Sequence, residues 1–339
     1  MTAVAATPSS AAAPRVAPPW RAPLVVLALG LVAWWALPDQ LGLLTRIAVT
    51  SLLVLSLDLV VGIAGLATLG HAALSGVGAY AAGIFALRAH ADPLLGLAVG
   101  TGAGALLALA SGAFLLRYHG FTFLMLTVAV AQIVQSLAQK LRDWTGGDDG
   151  LSGFSMGPLL GRFAFDLEGR TAALYALAVL AAGLYVARRV AASPFGLAVR
   201  GIHENRARMA ALGTPVFRRL LAMYTLAGAL AGAAGALSAQ TNAIVGLDSL
   251  SFALSAELLV MLILGGAGRL HGAIVGAAVF TLLHHTAASI NPYHWLFVVG
   301  GVLMAVVLVP PDKAWHRLRG RFGAAGRRAR PGAAGEGRA

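Results

Sequence analysis

Long apolar stretches alternate with short polar ones along most of the chain. They lie at about 23–37, 47–67, 71–88, 93–116, 120–139, 172–187, 220–240, 255–268, 272–287 and 294–310. Because a helix that crosses a membrane takes about 20 apolar residues, this pattern predicts an all-α integral membrane protein. We expect a polytopic bundle of about 8–10 transmembrane helices. The stretches at 255–268 and 272–287 are short, so either is a candidate for a broken or re-entrant segment.

The first apolar stretch follows Arg21 and ends at Pro38-Asp39. A basic residue before a short apolar run is also typical of a cleaved signal peptide. No small-x-small cleavage site follows the run, and this favours an uncleaved first span.

Composition supports a membrane protein. Apolar residues make up 58% of the 339 residues, charged residues only 11%, and the mean hydropathy is +0.80. Soluble globular domains carry about 25% charged residues. The composition therefore argues against a soluble enzyme, a DNA-binding domain and a disordered chain.

The net charge of +12 is concentrated in three segments. Residues 1–22 carry +2, residues 188–219 carry +6 and residues 312–339 carry +6, which leaves −2 for the rest. Since cytoplasmic loops of membrane proteins hold an excess of Arg and Lys, both termini and the 188–219 loop are predicted to be cytoplasmic. We expect disordered tails at 1–22 and 312–339 around a transmembrane domain at 23–311. The Arg-rich, Ala/Gly-rich composition suggests a bacterial inner membrane.

The loop at 140–171 falls on the outer side in this topology. Its many glycines predict irregular backbone, either capping the outer mouth of the bundle or forming a plain solvated connector. Lys140 and Arg142 are unfavourable on that side, and nearby acidic residues offset them: Asp143, Asp148 and Asp149.

The basic cytoplasmic loop contains start and stop signals for a helix. Ser193-Pro194 is a typical start, and Gly213 followed by Pro215 is a typical end. We predict one amphipathic helix of about five turns between them, with Val199, Ile202, Met209 and Leu212 sharing one face. Such a helix can rest at the lipid headgroups or dock a cytoplasmic partner.

Polar residues within apolar stretches are candidates for function. Asp58 lies inside one span and Glu257 begins another. A buried carboxylate marks either a transport pathway or a structural hydrogen bond between helices. Glycine-rich stretches permit close packing or breaks that line a cavity. The pathway candidates are Asp58, Gly62, Gly65, Gly70, His71, Gly265 and Gly266.

Several kinds of chemistry are not indicated. The two lysines, Lys140 and Lys313, do not follow the Gly-Lys-Ser/Thr pattern of a phosphate-binding loop, and no catalytic motif is present. The absence of cysteine excludes disulfides and thiolate metal sites. His284-His285 point about 100° apart on a helix, so no metal is assigned.

A self-contained secondary transporter or channel, with Asp58 as its ion site, remains an alternative.

Four blocks resemble the larger, M-type permease of bacterial ABC importers for branched-chain amino acids. They are LVVGIAGLATLGHAALSGVGAYAAG, LTVAVAQIVQSLAQKLRDWTGGDDGLSG, SPFGLAVRGIHENRARMAALGTPVFRRLLAMYTLAGALAGAAGAL and LLVMLILGGAGRLHGAIVGAAVFTLL. The resemblance implies a heterodimer with a second permease, two cytoplasmic ATPase subunits and a periplasmic substrate-binding protein. This chain would then need no cofactor, since ATP is bound by the partner subunits. A nucleic-acid partner is not expected either, because the positive charge is concentrated in the predicted cytoplasmic segments.

The resemblance also assigns residues. It implies that the cytoplasmic helix is a coupling helix, in which the positions that match the family's pattern are Arg200, Glu204, Asn205, Arg208 and Gly213. Together with the helix start Ser193-Pro194, these are the predicted coupling residues. An outer motif matches Thr145, Gly146, Gly147, Asp149 and Gly150. Leu66, Thr68 and Gln132 depart from residues common in the family. Because of these departures, a permease for urea or short amides stays an alternative.

Overall fold

The computed structural model describes residues 21–36, 38–158, 169–290, 300, 301 and 304. These residues form helices α1 (Arg21–Ala36), α2 (Leu41–Asp58), α3 (His71–Arg88), α4 (Pro93–Leu115), α5 (Phe121–Lys140), α6 (Arg142–Thr145), α7 (Arg170–Ala191), α8 (Pro194–Glu204), α9 (Arg206–Ala211), α10 (Val216–Asn242), α11 (Phe252–Gly265) and α12 (Leu270–Ile290). Two short strands, β1 (Leu151–Ser152) and β2 (Ile244–Val245), pair antiparallel.

Six helical stretches in the described part of the chain are long and apolar enough to cross a membrane. They are Pro38–Ile63, Pro93–Leu115, Phe121–Lys140, Arg170–Ala191, Val216–Asn242 and Leu270–Ala287. The predicted all-α, polytopic architecture is therefore confirmed. The apolar stretch at 294–310 and the tails at 1–22 and 312–339 lie outside the described residues, apart from the first residues of α1 and three positions near 300.

Two apolar helices are shorter than a full span. Helix α1 has 16 residues and α11 has 14, so α11 extends only about 21 Å. The hydrocarbon core of a bilayer is about 30 Å thick. The short stretch at 255–268 thus forms a helix that crosses only part of that thickness before the turn at 266–269.

Glycine spacing explains how α3, α4 and α10 come together. The buried residues along the middle of α4 recur every four positions: Gly96, Gly100, Gly104, Ala108 and Gly112. A Cβ atom at Gly104 would collide with the carbonyl oxygen of Gly228 on α10, and one at Gly78 on α3 would collide with that of Gly232. Small residues at i and i+4 let helix backbones touch in lipid, and this stripe sets the position of α10 in the bundle.

Helix α2 is the other central element. Leu52, Val54, Leu55 and Leu57 are fully buried, and α2 packs against α7, α10 and α12. The large apolar side chains on outward faces, such as Leu29 and Trp35 of α1, are exposed. Contiguous exposed apolar surface of this kind suits a lipid environment.

The bundle has two distinct ends. Helices α8 and α9 lie at one end, together with the connections α2–α3, α4–α5 and α11–α12; we call this the α8 end. The opposite end carries the β1–β2 pair and the connections α1–α2, α3–α4, α5–α7 and α10–α11; we call it the β1–β2 end. Both ends are defined by the order of the helices.

Candidate functional site

A cavity of about 1060 Å³ lies within the bundle near the β1–β2 end. Its wall is formed by α2, α3, α10, α11 and α12, with contributions from the start of α7 and from residues 154–156 and 243–249. Pockets of roughly 300–1000 Å³ are typical of small-molecule sites. The cavity is therefore large enough for a small solute.

Three helices turn one face each toward this cavity. Helix α2 contributes Arg46, Val49, Thr50 and Leu53; α11 contributes Leu254, Glu257, Leu258 and Met261; α12 contributes Phe280, Thr281 and His284. Steps of three and four residues place side chains on the same side of a helix. The lining thus follows from the helical repeat of these three segments.

Charged residues occur among the apolar ones in that wall. Arg46 lies close enough to Glu257 and to His284 to interact with both electrostatically. Neither Arg46 nor Glu257 makes a hydrogen bond or a contact ion pair with another residue that the structure describes. Opposite charges therefore share one cavity without neutralising each other by direct contact.

Arg46 was missed by the sequence reasoning. The second apolar stretch was placed from residue 47, whereas α2 begins at Leu41 and includes Arg46 in its second turn. The sequence alone could have identified Arg46 as a candidate. A basic residue inside an apolar run costs free energy in a membrane and therefore marks a functional position.

Asp58 lies at the opposite, α8 end of the same helix. It is fully buried, and its Oδ1 accepts a hydrogen bond of 2.6 Å from the backbone N–H of Gly268 in the α11–α12 turn. Oδ2 has no hydrogen-bond partner among the residues that the structure describes. Gly62 makes this contact sterically feasible, because a Cβ there would collide with Asp58 Oδ1 and the Gly268 nitrogen. The bond joins the end of α2 to the turn between α11 and α12, which is close to the helix-to-helix bond of the structural interpretation of Asp58.

The glycine-rich stretch after Asp58 breaks the helix. Helix α2 continues as one π-helical turn, Leu59–Ile63, and no helix resumes until α3 begins at His71. Single π turns within α-helices are frequent at functional sites. Gly65 has a φ of +70°, a left-handed conformation that glycine adopts at little cost.

The remaining candidates hold this region in place. His71 is buried, and its Nε2 lies 2.7 Å from Ser56 Oγ on α2. A Cβ at Gly70 would collide with the Thr127 carbonyl of α5, and one at Gly265 with the Gly272 carbonyl of α12. Gly266 has open space but a φ of +86°.

None of the predicted pathway residues borders the cavity in this conformation. They cluster instead at the α8 end, around the α2–α3 break and the α11–α12 turn. Their assignment to the pathway stays a prediction. Within the described residues, no three His, Asp or Glu side chains lie close enough to share a metal ion.

The segment predicted to be one continuous helix between Ser193 and Gly213 is two helices, α8 and α9, so that prediction was wrong. Ser193 caps α8, its Oγ accepting from Gly196 N at 3.2 Å, and Pro194 occupies the first turn as expected. The helix ends at Glu204 because Asn205 adopts an extended conformation, with φ −155° and ψ 100°. Asn205 Oδ1 then accepts from Arg208 N at 2.9 Å and starts α9. Gly213 has a φ of +81° just beyond α9.

Helix α8 touches the broken region directly. A Cβ at Gly65 would collide with the ring of His203, and Arg200 interacts electrostatically with Asp58. Val199 and Ile202 are buried as expected, but Leu212 is 71% exposed and does not share their buried face. Leu197 is also exposed, so apolar and charged groups are both accessible here: Leu197, Arg200, Glu204, Arg208 and Leu212.

The loop motif at the β1–β2 end forms a tight turn. Thr145 is buried and its Oγ1 donates to the Ala138 carbonyl at 2.5 Å. Gly146, Gly147 and Gly150 have positive φ angles, while Asp149 is exposed. Arg142 pairs with Asp148 at 3.3 Å, so part of the basic charge at this end is offset as predicted. Phe154 and Met156 from the same loop reach the cavity wall.

Comparison with known proteins gives a consistent result. The profile of a protein family described as a branched-chain amino acid transport system permease component matches residues 40–307. Relatives include two high-affinity branched-chain amino acid transport system permease proteins named LivM. The one from Salmonella typhimurium is 29% identical over 85% of this chain and 73% of its own length. The one from Escherichia coli K12 is 28% identical over the same shares. No solved structure matches the chain.

Proposed function

Since the chain belongs to the family of permease components of branched-chain amino acid transport systems, we propose that it forms part of the translocation pathway of an ABC importer. Its cargo is leucine, isoleucine or valine, and the membrane is the bacterial inner membrane. The observation that carries this proposal is the family match, which extends from α2 beyond α12 and so includes the cavity, the α2–α3 break and α8. ATP hydrolysis takes place on two separate ATPase subunits.

The α8 end faces the cytoplasm in this proposal. Basic residues dominate the connections and helix termini there: Arg117, Arg188, Arg189, Arg200, Arg206, Arg208, Arg218, Arg219 and Arg269. Most described acidic residues near helix ends lie at the β1–β2 end: Asp39, Asp92, Asp143, Asp148, Asp149 and Asp248. An excess of Arg and Lys on the cytoplasmic side is the general rule for membrane proteins. The β1–β2 end then faces the periplasm and the substrate-binding protein.

The α8–α9 segment is the docking site for an ATPase. It presents the exposed apolar Leu197 and Leu212 beside the charges of Arg200, Glu204 and Arg208. A mixed surface of this kind suits a protein partner. A helix that only rests at the lipid headgroups would instead carry one continuous apolar face. Asn205 gives the segment its bend, and the bend separates two short rigid helices.

Contacts of α8 supply a route for coupling. His203 packs on Gly65 and Arg200 acts on Asp58, while Asp58 holds the α11–α12 turn through Gly268. Displacement of α8 therefore acts on both breaks in the bundle. Nucleotide binding shifts the equilibrium between outward- and inward-facing states because the two states differ in affinity for nucleotide.

This function is tested by purification and reconstitution. The chain is expressed with a second permease and the two ATPases, and leucine uptake into proteoliposomes is measured with the binding protein present. The proposal expects co-purification of all four subunits and uptake that depends on ATP. Leucine flux driven by an ion gradient through this chain alone would instead support a secondary transporter.

Glu204→Arg tests the docking role within the same system. Reversing this exposed charge should abolish binding-protein stimulation of ATP hydrolysis, or prevent the ATPases from assembling, because attraction at the interface becomes repulsion. Arg117→Gln, an exposed change in the α4–α5 turn, is the control and should behave as the wild type. Normal stimulation in Glu204→Arg would contradict docking at this segment.

A further inference from the structure

We propose that Arg46 and Glu257 bind the charged head group of an α-amino acid inside the cavity, and that apolar residues next to them bind its side chain. This inference rests on the proposed function as an amino acid permease. It adds a substrate site within this chain that sequence reasoning did not identify.

The argument begins with the two charges. A charge on a membrane helix costs free energy, and two opposite charges that border one cavity attract each other. Arg46 is exposed and Glu257 is half-buried, so both are accessible from the cavity. Arg46 and Glu257 interact electrostatically and border the same cavity, yet they form no contact pair. The space between them suits a ligand that carries both charges.

A zwitterion meets this requirement. Its carboxylate accepts two parallel N–H bonds from the guanidinium of Arg46, a geometry that arginine favours. Its ammonium group donates to the carboxylate of Glu257. A neutral amide such as urea would leave both charges uncompensated, so the cavity favours an amino acid over the urea-type cargo.

The apolar part of the wall lies deeper in the bundle. Leu53 is seven residues after Arg46 on α2, about 10 Å farther toward the α8 end. Met261 lies four residues beyond Glu257 on α11, and Phe280 lies four residues before His284 on α12, which runs in the opposite direction. All three helices thus carry polar groups near the β1–β2 end and apolar groups about one or two turns deeper. This order matches an aliphatic amino acid that enters with its side chain toward the membrane centre.

Beyond the apolar part, toward the α8 end, lie the break after α2 and the α11–α12 turn, which together we call the α8-end cluster. Asp58 lies five residues beyond Leu53 and is tied to Gly268. A bound amino acid would therefore rest in the cavity until that cluster rearranges. The site is thus a substrate-binding site on the pathway that is occupied before the rearrangement controlled by α8.

Cysteine labelling tests this site without relying on uptake. The chain has no native cysteine, so a Thr50→Cys variant places a single thiol in the cavity wall between Arg46 and Leu53. The reconstituted importer is treated with a maleimide, and labelling of this chain is measured with and without leucine. Ser152→Cys, exposed on β1 and outside the cavity wall, is the control.

Leucine should slow labelling of Thr50→Cys several-fold and leave Ser152→Cys unchanged, whereas urea should protect neither. Adding Arg46→Gln or Glu257→Gln should abolish the protection while the thiol still reacts. Protection that survives both neutral variants, protection by urea, or no protection at all would overturn the site. Leucine uptake by the wild-type importer is measured in the same preparation, so a failure of the proposed function is seen separately as absent uptake.

Discussion

At the scale of single residues, the bond between Asp58 and Gly268 depends on the missing side chain of Gly62. The Gly62 position faces both partners of this bond at once. A methyl group there forces the α2 end and the α11–α12 turn apart. Overpacking of this kind costs about 1–3 kcal/mol.

Gly62→Ala should therefore lower both the melting temperature of the purified importer and its leucine uptake. Gly102→Ala is the matched control, because Gly102 is also helical and a Cβ there meets nothing within 4 Å. The comparison is made by thermal unfolding in detergent and by uptake in proteoliposomes. Equal behaviour of the two variants would show that the close approach at Gly62 has no role.

Asp58 itself allows the hydrogen bond to be separated from the charge. Asp58→Ala leaves the partly buried Gly268 N–H without its acceptor, which costs about 1–3 kcal/mol when the donor is buried. Asp58→Asn keeps an acceptor oxygen but removes the charge that acts on Arg200. We expect Asp58→Asn to unfold near the wild-type temperature yet to transport several-fold more slowly. Wild-type uptake in Asp58→Asn would leave Asp58 with a structural role alone.

Single residues also show where sequence reasoning stops. Asp58 and Glu257 were identified because carboxylates are rare in apolar runs. The partner of Asp58 is a backbone N–H some 210 positions away, and no local pattern encodes that pairing. Arg46 was overlooked because the predicted start of its span was placed six residues too late.

At the scale of elements, the α8–α9 segment shows how a single side chain can override a periodic pattern. Helix start and stop signals at Ser193 and Gly213 predicted the ends of the segment well. The interruption at Asn205 was not predicted, since apolar spacing continues through it. Asparagine favours caps because its side chain competes with the helix backbone for hydrogen bonds, and here it caps the helix that follows.

Asn205→Ala should remove this cap at a cost of about 1 kcal/mol and favour one continuous helix in place of two. The bend between Arg200 and Arg208 then changes, so we expect more ATP hydrolysed per leucine transported. Asn205→Asp, which keeps a capping oxygen, should retain the wild-type ratio. The ratio is obtained from ATPase and uptake rates measured on the same proteoliposomes, and an unchanged ratio in Asn205→Ala would show that the bend does not matter for coupling.

At the scale of the whole molecule, apolar runs were sufficient to predict the helical membrane architecture, and four sequence blocks were sufficient for the family. Both depend on local composition and order, which a single sequence contains. The cavity depends on how α2, α11 and α12 pack against one another, including the close approach of Gly265 on α11 to Gly272 and Gly276 on α12. A single segment can show the small-residue spacing, as α4 does, but it does not show which helix will pack against it.

The charge distribution over the whole molecule predicts how the protein is oriented in the membrane. Basic residues gather at the α8 end and most acidic ones at the β1–β2 end, so the positive-inside rule places the α8 end in the cytoplasm. Two exposed positions report on the two ends: Ser152 on β1 and Ala207 on α9. Each can be changed to the single cysteine of an otherwise cysteine-free chain.

In intact spheroplasts, a membrane-impermeant maleimide should label Ser152→Cys, whereas Ala207→Cys should react only after the membrane is disrupted. The physical reason is that only the periplasmic end is reachable from outside. If Ala207→Cys reacts first, α8 faces the periplasm and no cytoplasmic ATPase can dock on it. The coupling route through His203 and Arg200 would then fail together with the orientation, while the membrane fold and the cavity would stand.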